Sequence, residues 1–249
     1  MSKLSIKLKI ILCVASVLIL LAFILPPVSQ PNSFHHFADG RPWLGIANAG
    51  NVLSNLSFLF VGIYGMFFCF QAQRQANVKI AYLAVFIGLI LTSLGSAYYH
   101  WQPDSNRLVW DRLPMTLVFM PLLVAVLSER IYFNLRIILP ALLLTGIFTV
   151  VYWSYSGNLI PYFAAQYGSI FLLLLSTFLF PLKGDKWLYF ACISYGAAML
   201  CERLDLLIFQ ASGYIISGHT VKHILAALAF CFILNKLNYQ RAALNSDRA

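Results

Sequence analysis

Eight apolar runs, at about 8–25, 48–70, 79–100, 108–127, 135–153, 160–180, 187–209 and 218–236, fill most of this chain. Each approaches the roughly 20 residues that carry a helix across the hydrocarbon core of a bilayer. Lipid offers no partner to a backbone N–H or C=O, so such segments must satisfy their own hydrogen bonds as helices. Charged residues supply only 10% of the 249 residues, against about a quarter in soluble domains. The expected fold is an all-α integral membrane protein with eight transmembrane helices. The connections are short and leave no room for a second domain, and no internal repeat is evident.

A formal net charge of +9 could point to nucleic acid. The basic residues, however, sit in short clusters between apolar runs and form no stripe with interleaved aromatics, so no nucleic-acid partner is expected. Neither is a protein partner evident, since the loops and termini are short. Lys3, Lys7 and Lys9, then Arg74 and Lys79, Arg130 and Arg136, Lys183 and Lys186, and finally Lys236, Arg241 and Arg248 mark one set of helix ends. The other set has only Arg41 and Arg107 in its loops. By the excess of Lys and Arg in cytoplasmic loops, both termini are cytoplasmic, which agrees with eight crossings. A bacterial inner membrane fits this layout. The first run ends at Pro26 and Pro27 without a small-x-small cleavage site, so it reads as a retained helix. The chain then divides into an N-terminal helix (1–30), an extracytoplasmic loop (31–47), a helical core (48–237) and a cytoplasmic tail (238–249).

The polar residues that the apolar pattern does not explain fall at one depth. Asn48, Asn51, Ser54 and Asn55 open the second helix at its outer end. Ser96 and His100 close the third, Asp111 and Arg112 open the fourth, and Glu202, Arg203 and Asp205 lie toward the outer end of the seventh. His219, Lys222 and His223 open the eighth on the same side. A charge within a membrane helix costs about 2.5–3.5 kcal/mol at the centre by insertion scales, so such groups usually face a bundle interior. Glu129 and Arg130 stand apart at the opposite end, where a helix terminus snorkelling to the headgroups explains them.

His219 and His223 are four apart, one above the other on a helix face, and can reach one point in space. His100 offers a third nitrogen. Three histidines without nearby thiolates make a zinc site of the catalytic kind, with an open fourth position for water whose pKa is lowered toward ~7. The five cysteines lie inside apolar runs and read as packing residues. Asp111 can serve as general base and then acid, and Ser96, one turn before His100, as a donor to an oxyanion. Each has a plainer role as well. Ser96 can be a helix-packing residue, and Asp111 a helix N-cap or the partner of Arg112. His35 and His36 read as interfacial groups. Asn51, Ser54 and Asn55 read as interhelical hydrogen-bonding groups, and Glu202, Arg203 and Asp205 as structural ion-pairing ones.

The ordered set Asn51-x-x-Ser54-Asn55, Ser96-x-x-x-His100, Asp111 and His219-x-x-x-His223 resembles the alkaline ceramidases and their bacterial relatives, within the CREST group of membrane hydrolases. The resemblance spans about residues 48–236. It implies a seven-helix hydrolase core plus one additional N-terminal helix, zinc on His100, His219 and His223, and Ser96 and Asp111 in the catalytic site. It also implies hydrolysis of ceramide to a sphingoid base and a fatty acid, with the lipid drawn from the bilayer. Eukaryotic members bind calcium through acidic residues before the first core helix. Here Asp39 is the only carboxylate of that loop and Asn48 stands where another is expected, so Ca2+ is not anticipated. Three other classes compete: a receptor-like member of the same group with a structural zinc, a haem carrier ligated by His100 and His219 or His223, and a transporter, for which no repeat speaks.

Overall fold

A computed structural model describes residues 5–71 and 76–246. Lys3, Arg74 and Arg248, used above to orient the chain, lie outside the described residues. The helices are α1 (Ile6–Ile24), α2 (Ala49–Leu53), α3 (Leu56–Gln71), α4 (Ala76–Trp101), α5 (Ser105–Ser128), α6 (Leu135–Ser156), α7 (Ile160–Leu179), α8 (Lys186–Arg203), α9 (Asp205–Ala211) and α10 (Gly218–Ser246), with a 3-10 turn at Asn32–His35. Among the described residues, seven segments are long and apolar enough to cross a membrane. The seventh run, expected over 187–209, is divided at Leu204 between α8 and α9. α8 nonetheless traverses the bundle: Asp185 before it meets Arg130 at one end, and Glu202 meets Lys222 at the other. Its 18 residues span about 27 Å. α10 runs on to Ser246, into the stretch assigned to the tail.

The helices close in a ring in which α8 packs on α10, α10 on α3, α3 on α4, α4 on α5 and α5 on α7, with α6 against α5 and α7. α1 lies outside, packed chiefly on α7, and most of its surface is exposed. It runs antiparallel to that helix, since Lys7 donates to the Leu179 carbonyl at 2.7 Å and Leu159 N–H to that of Val28 at 2.8 Å.

The tightest pair, α4 and α5, depends on two proline–glycine matches. Pro114 and Pro121 lack the N–H that would bond the carbonyls of Trp110 and Leu117, four residues earlier in α5. Those freed carbonyls abut Gly95 and Gly88 of α4. A Cβ on Gly95 would lie 2.0 Å from the Trp110 oxygen, and one on Gly88 2.6 Å from that of Leu117. Both pairs are seven residues apart, so the antiparallel backbones touch twice on one face. This contact sets Asp111 against Ser96. Below it the core is apolar, with Val85, Phe86, Val124, Ala125 and Val126 fully buried.

At the end away from the histidines, Glu129 accepts from Tyr82 at 2.9 Å and pairs with Lys236 and Arg130, and Arg130 also pairs with Asp185. The side chains of Lys236 and Arg130 have no exposed surface. Headgroup snorkelling is thus corrected: Glu129 and Arg130 belong to a buried ion network that ties α4, α5, α8 and α10 together.

Candidate metal centre

Segment 48–70 does not run as one helix, and its break builds one wall of the site. The Asn51 carbonyl accepts from the Ser54 hydroxyl at 3.1 Å and from the Asn55 amide side chain at 2.8 Å. Such side-chain bonds compete with the helical ladder, and α2 gives way to α3 at this point. The same residues bind neighbouring helices. Ser93 of α4 donates to the Asn55 carbonyl at 2.8 Å, and Thr220 and Ser217 at the start of α10 donate to Asn51 Oδ1 at 3.0 and 3.4 Å. The interhelical role expected of Asn51, Ser54 and Asn55 is where these contacts lie.

His100 ends α4, and His219 and His223 occupy the first turns of α10. All three are buried, and a ligand atom from each lies within 4.8 Å of the others. The Nε2 atoms of His100 and His219 are 3.2 Å apart. Two nitrogens held at 2.0–2.1 Å by a tetrahedral zinc ion would be separated by roughly 3.3 Å. The same closeness leaves no space for a porphyrin plane between the rings, which removes the haem reading.

Ser54 Oγ lies 2.7 Å from His223 Nδ1 and 3.1 Å from the Asn51 carbonyl. A cation held at His223 Nε2 would leave the proton on Nδ1, where the Ser54 oxygen can accept it. His219 Nδ1 faces Glu202 Oε1 at 3.8 Å, and its Nε2 points into the cluster. His100 Nδ1 is buried without a partner. Three buried imidazoles converging without an acidic bridge are a donor set that suits a divalent cation, so the residues can hold a metal ion.

Asp111 lies inside α5, which begins at Ser105 with Asp104 as its N-cap, so an N-capping role for Asp111 does not apply. Nor does Arg112 hold it. The Arg112 guanidinium turns the other way, bonds Gln30 and sits 4.1 Å over Trp153 and 5.1 Å over Tyr162. Asp111 is half-buried and interacts with Ser96 and Lys222. Ser96 is buried, one turn before His100.

Among the described residues Asp205 forms no ion pair of the kind expected. One carboxylate oxygen accepts from His219 N–H at 2.8 Å and the other from Ala38 N–H at 2.9 Å, which fixes the start of α10 and the first loop together. Gly218 permits this seat, since a Cβ there would lie 2.2 Å from the Cys201 carbonyl. Glu202 pairs with Lys222, while Arg203 is exposed. Phe37 covers the cluster, its ring centroid 4.8 Å from His100 and 4.6 Å from His219. His35, expected at the interface, bonds Tyr99 at 3.0 Å and Ser105 at 3.2 Å. Asn48, in a left-handed conformation, donates to the His100 carbonyl at 2.9 Å. Sequence patterns gave no signal for Phe37 or for the capping role of Asp205, since loop aromatics and helix-end carboxylates are common. Lys222 did carry one, a lysine between two histidines in an apolar helix.

Calcium does not fit here. Both oxygens of Asp39, the loop's one carboxylate, are taken by Arg41, through Nε at 2.7 Å and Nη2 at 2.8 Å. These hydrogen bonds hold the Asp39 carboxyl below its usual range. Arg41 also donates to the Ile215 carbonyl at 3.0 Å, so an internal cation joins the two loops.

The family model described as Ceramidase matches residues 44–185, more than half of the chain. It covers Asn51, Ser54, Asn55, Ser96, His100 and Asp111 and ends before His219 and His223, which the fold brings to the matched part. Among curated proteins none matches the sequence.

Proposed function

The chain belongs to the ceramidase family, and from that premise we propose that it is a zinc-dependent membrane amidase that hydrolyses ceramide-like N-acyl lipids to a sphingoid base and a fatty acid. The observation that carries the reading is the convergence of three buried histidines from α4 and α10 beside the Ser96–Asp111 pair.

His100, His219 and His223 would hold the zinc ion, which supplies a Lewis acid and makes water nucleophilic near neutral pH. The remaining work falls to the chain's own side chains. Asp111 takes a proton from the attacking water and returns it to the amide nitrogen as the C–N bond breaks, so that the new C–O bond yields the acid and the departing group the amine. Ser96 donates a hydrogen bond to the oxygen on which charge develops. Phe37 keeps bulk water from the outer face of the cluster, and Ser54 holds the His223 tautomer. Asn51, Asn55, Glu202 and Asp205 keep α2, α8 and α10 in register around them.

The lipid enters sideways. Around the ring, α7 and α8 are joined through long side chains, Gln166 to Tyr195 at 2.6 Å and Tyr167 to Met199 at 3.9 Å, where the other neighbours pack closely. Tyr195, Met199 and Glu202 share one face of α8 by their spacing, so the seam leads along that face to the Glu202–Lys222 pair. On the charge pattern of the loops, the site lies near the outer face of a bacterial inner membrane. The described cations Lys7, Lys79, Lys183, Lys186 and Arg241 sit toward the opposite, cytoplasmic end.

Elemental analysis of the detergent-purified protein, beside His219→Ala, is the first test. About one zinc per chain, lost with activity in the variant, is expected. A protein that turns over N-acyl lipids with no bound metal overturns the mechanism, and one that binds zinc and turns over none is the receptor-like member instead.

A further inference from the structure

One charged pair in the site has no part in the chemistry above. Lys222 lies on α10 between His219 and His223, and its ammonium pairs with Glu202 Oε1 from α8. Neither side chain is fully enclosed, with 16% and 22% of their surfaces exposed. Glu202 shares the face of α8 that carries Tyr195 and Met199, the residues that bridge to α7, so the pair stands at the end of that seam. On α10 Lys222 is three residues from His219 and one from His223, so it stands among the site's polar groups.

Stability gives little reason for the pair. Partly buried ion pairs in apolar surroundings recover little more than their desolvation cost, and packed hydrocarbon of the same volume often does better. Its hydrogen-bonding capacity is also incompletely used. An ammonium has three donors and a carboxylate two acceptor oxygens, and the contact between them uses one N–H and Oε1. The rest are two donors and an acceptor oxygen side by side. That is the complement of a hydroxyl group, which donates and accepts at once.

We propose that Glu202 and Lys222 form the subsite that recognises the hydroxyl groups of the long-chain amine half of the substrate, Lys222 donating to a hydroxyl oxygen and Glu202 Oε2 accepting its proton. This deepens the amidase reading and rests on it. The pair selects a hydroxylated amine over a plain alkylamine, because a lipid without the hydroxyl leaves both groups unsatisfied in a low-dielectric pocket.

The test compares the wild-type protein with Lys222→Met and Glu202→Gln on two N-acyl lipids of equal chain length, one with and one without hydroxyls on the amine half. The wild type should favour the hydroxylated lipid by at least about tenfold in kcat/KM. Both variants should retain zinc and lose that preference, chiefly through KM. Equal losses on both lipids, or loss of the metal from both variants, would assign the pair to the metal centre and overturn the proposal. A readout without turnover separates this from the amidase reading: binding of the free long-chain amino alcohol, against the matching alkylamine, followed by thermal shift. Selective binding that disappears in Lys222→Met supports the subsite even if no amide is cleaved. Unselective binding by the wild type refutes it.

Discussion

Two residues show how the site separates metal holding from proton transfer. Asp111 is half-buried, interacts with Ser96 and lies apart from the three histidines that cluster within 4.8 Å. Asp111→Asn should therefore keep its zinc while kcat falls about 10²–10⁴-fold, the usual weight of a positioned acid–base group. Zinc content and single-turnover rates measured together check this, and an undiminished rate would remove Asp111 as the base. Ser54 acts one step further out. Its oxygen lies 2.7 Å from His223 Nδ1, so Ser54→Ala removes that contact and loosens the hold on the ring. A zinc affinity lower by about 10–100-fold, seen in a competitive chelator titration, is the expected outcome.

At the scale of elements, the proline–glycine matches explain why Ser96 and Asp111 meet at all. The Trp110 carbonyl, left free by Pro114, presses on Gly95, the residue next to Ser96. A methyl group there would sit 2.0 Å from that oxygen, so Gly95→Ala must move α5 away from α4. The histidines ride on α4 and α10 and are not carried by α5. Gly95→Ala should thus retain zinc and lose turnover, by up to about 100-fold for a shift near 1 Å. Metal analysis and the rate, measured on folded protein, test it, and unchanged turnover would show that α5 is not what aligns the pair. The motif Asp111-Arg112-Leu113-Pro114 hints at none of this, because the role of Pro114 depends on which helix its freed carbonyl meets.

Across the whole molecule, the chain's distant parts are locked at the site end by charge. Arg41 of the first loop grips Asp39 and bonds the Ile215 carbonyl, and Asp205 holds Ala38 to the start of α10. Asp39 titrates below its ordinary value of 3.8 because Arg41 bonds its carboxylate. Its contribution to stability is therefore complete above the ordinary carboxylate value and is lost as pH falls through the lowered one. Arg41→Gln removes that contribution. The gap in thermal stability between wild type and Arg41→Gln should be widest near neutral pH and close as pH falls below about 4. Thermal unfolding across that range decides it, and a gap independent of pH would mean that Arg41 acts through Phe209 and the Ile215 carbonyl and not through Asp39.

How much of this was legible beforehand divides along physical lines. Apolar runs reveal spanning helices because lipid forces each backbone to satisfy itself locally, and the i, i+4 spacing of His219 and His223 reveals a shared face because a helix has a fixed pitch. Hence the membrane fold, the three histidines and the common depth of Ser96 and Asp111 were determined by the sequence alone. The break at Leu204, the buried partners of Glu129, the turn of Arg112 toward Trp153 and the meeting of Lys222 with Glu202 were not. Each depends on which helix becomes whose neighbour. That choice is made by contacts between residues far apart in the chain, and only the tertiary structure brings them together.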